Sequence, residues 1–245
     1  MILLATKLFY QQKKQCPLCN SEFFVAQLRS RLQFIKQEAD FNRIYEETNP
    51  LYLSVWFCPN CGYAAQSTFF DEITEEQKRK VRNFLKNVDV KVAFPGARSR
   101  EQAIELFKLS IYYAELMEVA KSRIAGLYLR LAWLYREAQD KKMETLAIEK
   151  ALYYYEQALR SDRFPVGNMT ELTVEYLVAQ LYTQTGNIKR AINGLQLLLS
   201  NENIKSEQRI LRMARDLWEN MKIDYNKEEF SNVDESTFVK DDEEV

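Results

Sequence analysis

Cys58-Pro59-Asn60-Cys61-Gly62-Tyr63 decides how the N-terminal part of this chain folds, because it repeats the pattern of Cys16-Pro17-Leu18-Cys19. Each CPxC motif places two thiols three residues apart on a tight turn, and its proline presets one backbone torsion of that turn. Gly62 supplies the permissive backbone through which the chain leaves the second turn. Two such turns, called knuckles here, offer four sulfur ligands to one metal ion.

The four cysteines are the only ones in the chain, and the sequence contains no histidine. Four thiolates form a closed tetrahedron around zinc, with metal–sulfur distances of about 2.3 Å, and leave no position for water or substrate. The absence of histidine excludes Ser-His-Asp and Cys-His catalysis as well as imidazole metal ligands. We therefore predict a structural Zn²⁺ bound by Cys16, Cys19, Cys58 and Cys61, and no enzymatic activity.

Other interpretations of the cysteines stay open at this point. Iron in a rubredoxin-like site needs the same four thiolates; the second knuckle suits it, whereas the first has Asn20 where glycine is expected. A redox-active dithiol belongs in a βαβ unit with a single CxxC motif. Disulfides are disfavoured by a reducing compartment.

Composition favours long helices in a cytoplasmic protein. The 245 residues are 47% hydrophobic, with only six glycines and five prolines. No basic segment precedes the apolar N-terminal residues, and Lys7 interrupts them, so we expect neither a secretory signal nor a membrane span. A reducing cytoplasm is the expected location.

The 38-residue spacer between the knuckles has the composition of a zinc ribbon. Residues 23–36 and 51–57 are rich in aromatic and branched side chains, which predicts strands with Leu28 and Phe34 on a half-buried face. The acidic stretch 38–50 ends in Asn-Pro and indicates a loop.

Helices are predicted from residue 74 onward. The capping boxes Thr74-Glu75-Glu76-Gln77 and Ser99-Arg100-Glu101-Gln102 open two of them, and the first continues to about Val92. Further helices are predicted at about residues 122–138, 143–161, 169–185, 188–200 and 206–222.

The helices come in pairs whose spacing resembles the tetratricopeptide repeat. The best pair contains Val178-Ala179-x-x-Tyr182, then Gly186 and Ala191; a looser copy begins with Leu131-Ala132-x-x-Tyr135. We therefore predict a mostly α fold, with a small N-terminal β-containing zinc-ribbon-like module followed by an α-α superhelix of tetratricopeptide-like repeats.

Four domains follow from this division. They are residues 1–72 for the zinc-ribbon-like module, 73–96 for a linking helix and linker, 97–223 for the helical repeat domain, and 224–245 for an acidic tail. The tail carries nine acidic and two basic side chains, so we expect it to be disordered, and it leaves the rest of the chain mildly basic.

The first helix of each tetratricopeptide pair lines a groove in which a partner binds. The matching positions here are Leu129, Trp133, Arg136, Tyr176, Gln180 and Thr183. An exposed Trp133 would be an obvious anchor, because aromatic side chains dominate interface energetics.

The whole arrangement resembles a bacterial family catalogued as domain of unknown function 2225. The resemblance rests on the first knuckle, on Asn49-Pro50-Leu51-Tyr52, on Val55-Trp56-Phe57 with the second knuckle, and on the helical-repeat tail. It implies a cytoplasmic bacterial protein and brings no activity with it.

The leading functional hypothesis is a zinc-binding, non-enzymatic adaptor that binds a protein or peptide in the helical-repeat groove, without membrane contact. The alternative is a nucleic-acid-binding zinc ribbon. Its candidate contacts are Arg29, Arg31, Lys36, Lys78, Arg79, Lys80, Arg82 and Lys86. An iron electron carrier of the rubredoxin type ranks third.

Overall fold

A computed structural model describes residues 8–29, 32–86 and 96–236, with the side chains of the last helix included up to Lys222. These ranges contain seven α-helices and three antiparallel strand pairs, so the protein is mostly helical with a small β-containing N-terminal part, as predicted. The chain forms two compact units that divide between Arg163 and Phe164.

The six strands form three hairpins in the first unit. The strands are β1 (Phe9–Gln15), β2 (Glu22–Leu28), β3 (Phe34–Gln37), β4 (Arg43–Tyr45), β5 (Val55–Phe57) and β6 (Ala64–Gln66). Strand β1 pairs with β2, β3 with β4, and β5 with β6. Each knuckle lies at the tip of a hairpin, because Gln15 pairs with Glu22 beside the first and Phe57 with Ala64 beside the second.

The spacer between the knuckles differs from its prediction. Strand β2 ends at Leu28, Phe34 is exposed rather than half-buried, and Leu51 lies in a 3₁₀ turn. The predicted loop 38–50 contains β4, because a tight turn after β3 returns the chain at once: the Glu38 N–H donates to the Asn42 carbonyl at 2.7 Å.

Seven helices follow the hairpins in the described part of the chain. They are α1 (Glu75–Leu85), α2 (Arg100–Leu116), α3 (Lys121–Glu137), α4 (Lys141–Ser161), α5 (Glu171–Gln184), α6 (Ile188–Ser200) and α7 (Gln208–Ser236). Both predicted capping boxes are present, at Thr74 and Ser99. The predicted end of the first helix at Val92 lies outside the described residues. None of the helices in the described ranges is long and apolar enough to cross a membrane.

An aromatic cluster centred on Phe70 forms the core beneath the hairpins. The Phe70 ring lies 5.1 Å from that of Tyr63, 5.6 Å from that of Trp56 and 5.8 Å from that of Phe23, measured between centroids. Tyr113 of α2 packs on Tyr63 at 5.8 Å. The hairpins β1–β2 and β5–β6 therefore share one core with α2, although the sequence assigned the hairpins and α2 to separate domains.

Small side chains allow the predicted helix pairs to approach. In the first unit, Ala132 of α3 and Ala151 of α4 are fully buried. In the second unit, the Cβ of Ala179 on α5 lies 3.6 Å from the position of a Cβ on Gly194 of α6, and Gly186 turns the chain with a φ of +75°. The pairs lie in different units, so the superhelix stays a prediction.

The last helix corrects the predicted start of the acidic tail. Helix α7 runs to Ser236, well into the segment 224–245 that we expected to be disordered. The reason is that residues 219–236 contain neither glycine nor proline, so a helix that has already formed can continue through them. The rest of the predicted tail lies outside the described residues.

Helix α3 begins without a capping side chain of its own, because Ala120 precedes it. Asp162, just after α4, caps it instead, since the Asp162 carboxylate accepts from the Ser122 N–H at 2.8 Å and the Lys121 N–H at 3.3 Å. Partial burial opposes the charged form of Asp162, but these hydrogen bonds outweigh it and lower the pKa below its usual value.

We predict that Asp162→Ala lowers the free energy of unfolding by about 1 kcal/mol at pH 7, the usual cost of removing a helix cap. A depressed pKa contributes stability above the unfolded value of about 3.9 and loses it as the pH falls through the folded value. The difference between variant and wild type should therefore shrink below pH 4, as measured by urea denaturation. Asp162→Asn, which keeps an acceptor, is the control. An Asn variant as unstable as the Ala variant would contradict the capping role.

Candidate functional site

The two knuckles bring the four predicted cysteines together. All four Sγ atoms lie within 4.8 Å of one another. The Sγ atoms of Cys16 and Cys61 are 3.6 Å apart, and so are those of Cys19 and Cys58. Sulfur atoms in a tetrahedron with metal–sulfur bonds of about 2.3 Å are about 3.8 Å apart. The cluster therefore has the composition and the spacing to hold one metal ion.

The two knuckles share one backbone conformation. The Asn20 N–H donates to the Cys16 carbonyl at 2.9 Å, and the Gly62 N–H donates to the Cys58 carbonyl at 2.8 Å. Both donors lie in the left-handed region, with φ of 61° for Asn20 and 79° for Gly62. Asn tolerates this region better than other non-glycine residues, so Asn20 replaces the glycine that its position seemed to require.

Burial differs between the first and second cysteine of each motif. Cys16 and Cys58 are fully buried, whereas Cys19 and Cys61 are partly exposed. Backbone N–H groups inside each turn point at the buried sulfurs: those of Leu18 and Cys19 at Cys16, and the corresponding pair at Cys58. Hydrogen bonds from backbone N–H groups to sulfur stabilise the thiolate, which is the form of cysteine that binds a metal ion.

The pKa values of the four cysteine thiols are shifted in opposite directions, because the sulfur atoms lie so close together. Hydrogen bonding with Cys58 raises the pKa of Cys16 to about 12, and contacts with Cys16 and Cys58 raise that of Cys61 as well. Hydrogen bonds from Cys16 and Cys61 lower the pKa of Cys58 to about 2. Burial opposes ionisation of Cys19, but hydrogen bonds from Ser21 and neighbours lower its pKa. Only a bound cation would let all four groups be thiolates together, because their negative charges repel.

Helices hold both knuckles from outside. Arg82 of α1 donates to the Leu18 carbonyl inside the first knuckle, at 2.9 Å from Nη2. Tyr113 of α2 donates its hydroxyl to the Gly62 carbonyl of the second knuckle at 3.0 Å. The spacing of the cysteines gave no signal for these contacts, since the donors lie 64 and 51 residues further along the chain.

Comparison with known protein families places the four cysteines in context. The family described as "Uncharacterized protein conserved in bacteria (DUF2225)" matches residues 9–221. The chain belongs to this family. The matched range of DUF2225 contains both knuckles and all seven helices named above, the last of them as far as residue 221. No curated protein and no solved structure matches the chain.

Three of the predicted groove residues are buried. Leu129 is 3% exposed, Tyr176 1% and Gln180 8%. Thr183 is half-buried and donates its hydroxyl to the Ala179 carbonyl at 3.1 Å. Leu129, Tyr176 and Gln180 are thus covered rather than exposed to solvent, and the groove at these positions stays a prediction.

Trp133 and Arg136 belong to a buried ion cluster that the sequence did not reveal. The Arg136 guanidinium donates to Glu38, to Asp40 at 2.7 Å and to Glu144 at 2.6 Å. Trp133 is half-buried and donates from Nε1 to the same Asp40 carboxylate at 3.1 Å. Asp40 is fully buried, and its contacts with Arg136 and Trp133 hold the turn between β3 and β4 on α3.

Charge balance in this cluster keeps Arg136 ionised. Burial opposes its charge, but the carboxylates of Asp40, Glu144 and Glu38 outweigh this and raise the pKa of the guanidinium above its usual value. Its Nε, Nη1 and Nη2 atoms each donate to one of these carboxylates. Arg136 is therefore a cation whose charge is balanced by carboxylates of this chain.

Asp40→Ala should lower the free energy of unfolding by about 3 kcal/mol. It removes one partner of a buried ion pair and leaves the Trp133 N–H without its hydrogen-bond acceptor. Urea denaturation measures this. The control, Glu149→Ala, removes an exposed glutamate of α4 and should change stability by about 0.5 kcal/mol or less. Equal stabilities for the two variants would show that the ion cluster does not hold the hairpin.

Proposed function

We propose that this protein is a zinc-binding, non-enzymatic adaptor in which the metal is structural and the helical body binds a partner protein. The four-sulfur cluster carries the metal-binding part of this proposal. Four thiolates saturate a tetrahedral zinc ion and leave no position for a substrate, which supports a role in folding rather than in catalysis.

The surroundings of the cluster support the structural role of the metal. The second knuckle is fastened to α2 through Tyr113, and the first to α1 through Arg82. Binding of a metal would thus fix two hairpin tips, each of which is also attached to a helix. Free energy gained on metal binding is in this arrangement free energy of folding for the first unit.

Iron is the alternative metal, because a rubredoxin-like site uses the same four thiolates. The left-handed Asn20 removes the objection to the first knuckle that the sequence raised. The geometry therefore accepts either ion. We prefer zinc, because an iron site of this type would act in electron transfer and would need redox partners. Direct metal analysis distinguishes zinc from iron.

We predict that protein purified under reducing conditions is colourless and contains one zinc ion per chain by elemental analysis. Cys58→Ser should lose the metal and lower the thermal midpoint of the first unit, since a fully buried ligand is removed. Asn60→Ala, which removes only the 3.5 Å hydrogen bond to the Cys19 sulfur, should keep one zinc. A coloured protein with stoichiometric iron would replace zinc by iron in this proposal.

Binding to nucleic acid is less well supported, because several of its candidate side chains are already engaged. Lys78 pairs with Glu75 at 2.7 Å, and Lys80 with Glu118 at 2.9 Å. Of the remaining candidates, Arg82 donates to Leu18, Arg29 to Phe9 and Lys36 pairs with Glu38, while Arg31 lies outside the described residues. The carboxylates of Glu75, Glu118 and Glu38 offset part of the positive charge that phosphates would need, and the hydrogen bonds of Arg82 and Arg29 to carbonyls hold those two side chains against the protein.

The adaptor role predicts that the full-length, zinc-loaded chain captures one or a few proteins in stoichiometric amounts from an extract of its bacterium. Treatment with nuclease should leave the capture unchanged. Quantitative mass spectrometry of the captured proteins is the measurement, and the Cys58→Ser variant is the comparison. Loss of capture on nuclease treatment would favour nucleic-acid binding, and an absence of stoichiometric partners would end the adaptor proposal.

A further inference from the structure

A cleft of about 410 Å³ opens in the first unit between the β3–β4 hairpin and the C-terminal end of α3. We call it the hairpin cleft; residues 42–49 form one wall, and Trp133, Arg136 and Glu137 the other. Sites for small molecules and anchoring side chains typically have volumes of about 300–1,000 Å³. The hairpin cleft is large enough for one or two long side chains of a partner.

Aromatic groups give the hairpin cleft its apolar surface. Tyr45, Tyr52 and Trp133 all line it. Trp133 is fixed by its hydrogen bond to Asp40, so its ring has a defined position. Rigid aromatic faces attract flat or cationic groups, and a guanidinium stacks on them especially well.

Charge in the hairpin cleft is predominantly negative. Four glutamates line it, against the two arginines Arg43 and Arg136. Arg136 is paired with Glu38, Asp40 and Glu144, which leaves Glu46, Glu47 and Glu137 against Arg43, whose guanidinium lies over the Phe34 ring at 5.0 Å and donates to Gln37. The glutamates are Glu38, Glu46, Glu47 and Glu137.

Neutral side chains orient the carboxylates of the hairpin cleft. Glu137 accepts hydrogen bonds from the Tyr52 hydroxyl and from the Asn49 amide at 2.8 Å. Burial and the nearby Glu137 raise the pKa of Tyr52, so its hydroxyl stays a donor. Asn42, which is 5% exposed, donates to Glu38 from Nδ2 at 3.0 Å, but Glu38 also pairs with Arg136 and, at 3.6 Å, with Lys36, so its charge is already offset. Hydrogen bonds from neutral donors leave the negative charge of a carboxylate in place for a cationic ligand.

We propose that the hairpin cleft binds the guanidinium group of an arginine side chain presented by a partner protein. The proposal rests on the adaptor role and names the chemistry of its partner. Arginine satisfies both features of the site, since its planar group stacks on the aromatic rings while its N–H groups pair with the glutamates. An acidic partner is disfavoured, because Glu46, Glu47 and Glu137 outnumber Arg43 in the cleft.

The test uses the full-length, zinc-loaded chain and a fluorescein-labelled, glycine-spaced peptide with two arginines, measured by fluorescence anisotropy. A matched peptide carries citrulline, which has nearly the same shape as arginine and no charge. The arginine peptide should bind, and the citrulline peptide should not. Agmatine, a free guanidinium compound, serves as competitor and should be the weaker ligand, because a partner protein supplies further contacts.

Two double variants locate the binding. The double variant Glu46→Gln/Glu47→Gln removes two negative charges of the hairpin cleft and leaves the Arg136 cluster intact. It should lower the affinity for the arginine peptide about fivefold. Glu149→Gln with Glu202→Gln removes two exposed charges elsewhere and should leave the affinity unchanged.

Equal binding of the arginine and citrulline peptides, or equal weakening in the two double variants, would overturn the proposal. Agmatine binding as tightly as the peptide would reassign the cleft to a free small molecule and overturn the partner-protein source. If captured proteins are retained by the Glu46→Gln/Glu47→Gln variant and the peptide does not bind, the cleft proposal fails while the adaptor role stands. If the peptide binds but no stoichiometric partner is captured, the adaptor role fails while the guanidinium site stands.

Discussion

Two hairpin tips must bring four sulfur atoms within 4.8 Å of one another, and this requirement determines where β1–β2 and β5–β6 lie. Neither hairpin is long enough to be stable alone in water. Their positions are reinforced by the aromatic cluster around Phe70 and by Tyr113, which joins the second knuckle to α2. The four cysteines, the two hairpins and the first helices are therefore parts of one cooperative structure.

Local signals predicted much of this architecture. The spacing of the cysteines identified the sulfur cluster, because a CPxC turn can direct two thiols to one point without help from distant residues. Capping boxes identified the starts of α1 and α2, since a helix N-terminus is satisfied by side chains three residues apart. The spacing of Ala179 and Ala191 identified α5 and α6 as a pair, and both side chains are fully buried.

Distant pairings could not be predicted in this way. Asp40 and Arg136 are 96 residues apart, and nothing next to either residue indicates the other. The acidic stretch 38–50 therefore looked like a solvated loop, although Asp40 is buried and β4 follows it. Resemblance to a tetratricopeptide repeat indicated which helices pair but not what covers their faces, and the β3–β4 turn occupies the surface where Trp133 and Arg136 were expected to meet a partner.

The shared core also determines where the chain can be truncated without exposing buried residues. Tyr113 looks like part of a self-contained helical repeat, yet its ring packs on Tyr63 and its hydroxyl is bonded to Gly62. A fragment that started at residue 97 would expose that aromatic face to water. It would also leave the Tyr113 hydroxyl without its acceptor, the Gly62 carbonyl. Boundaries for truncation, crystallisation or domain fusion therefore belong outside residues 1–163, and a helical fragment without its knuckles is expected to aggregate.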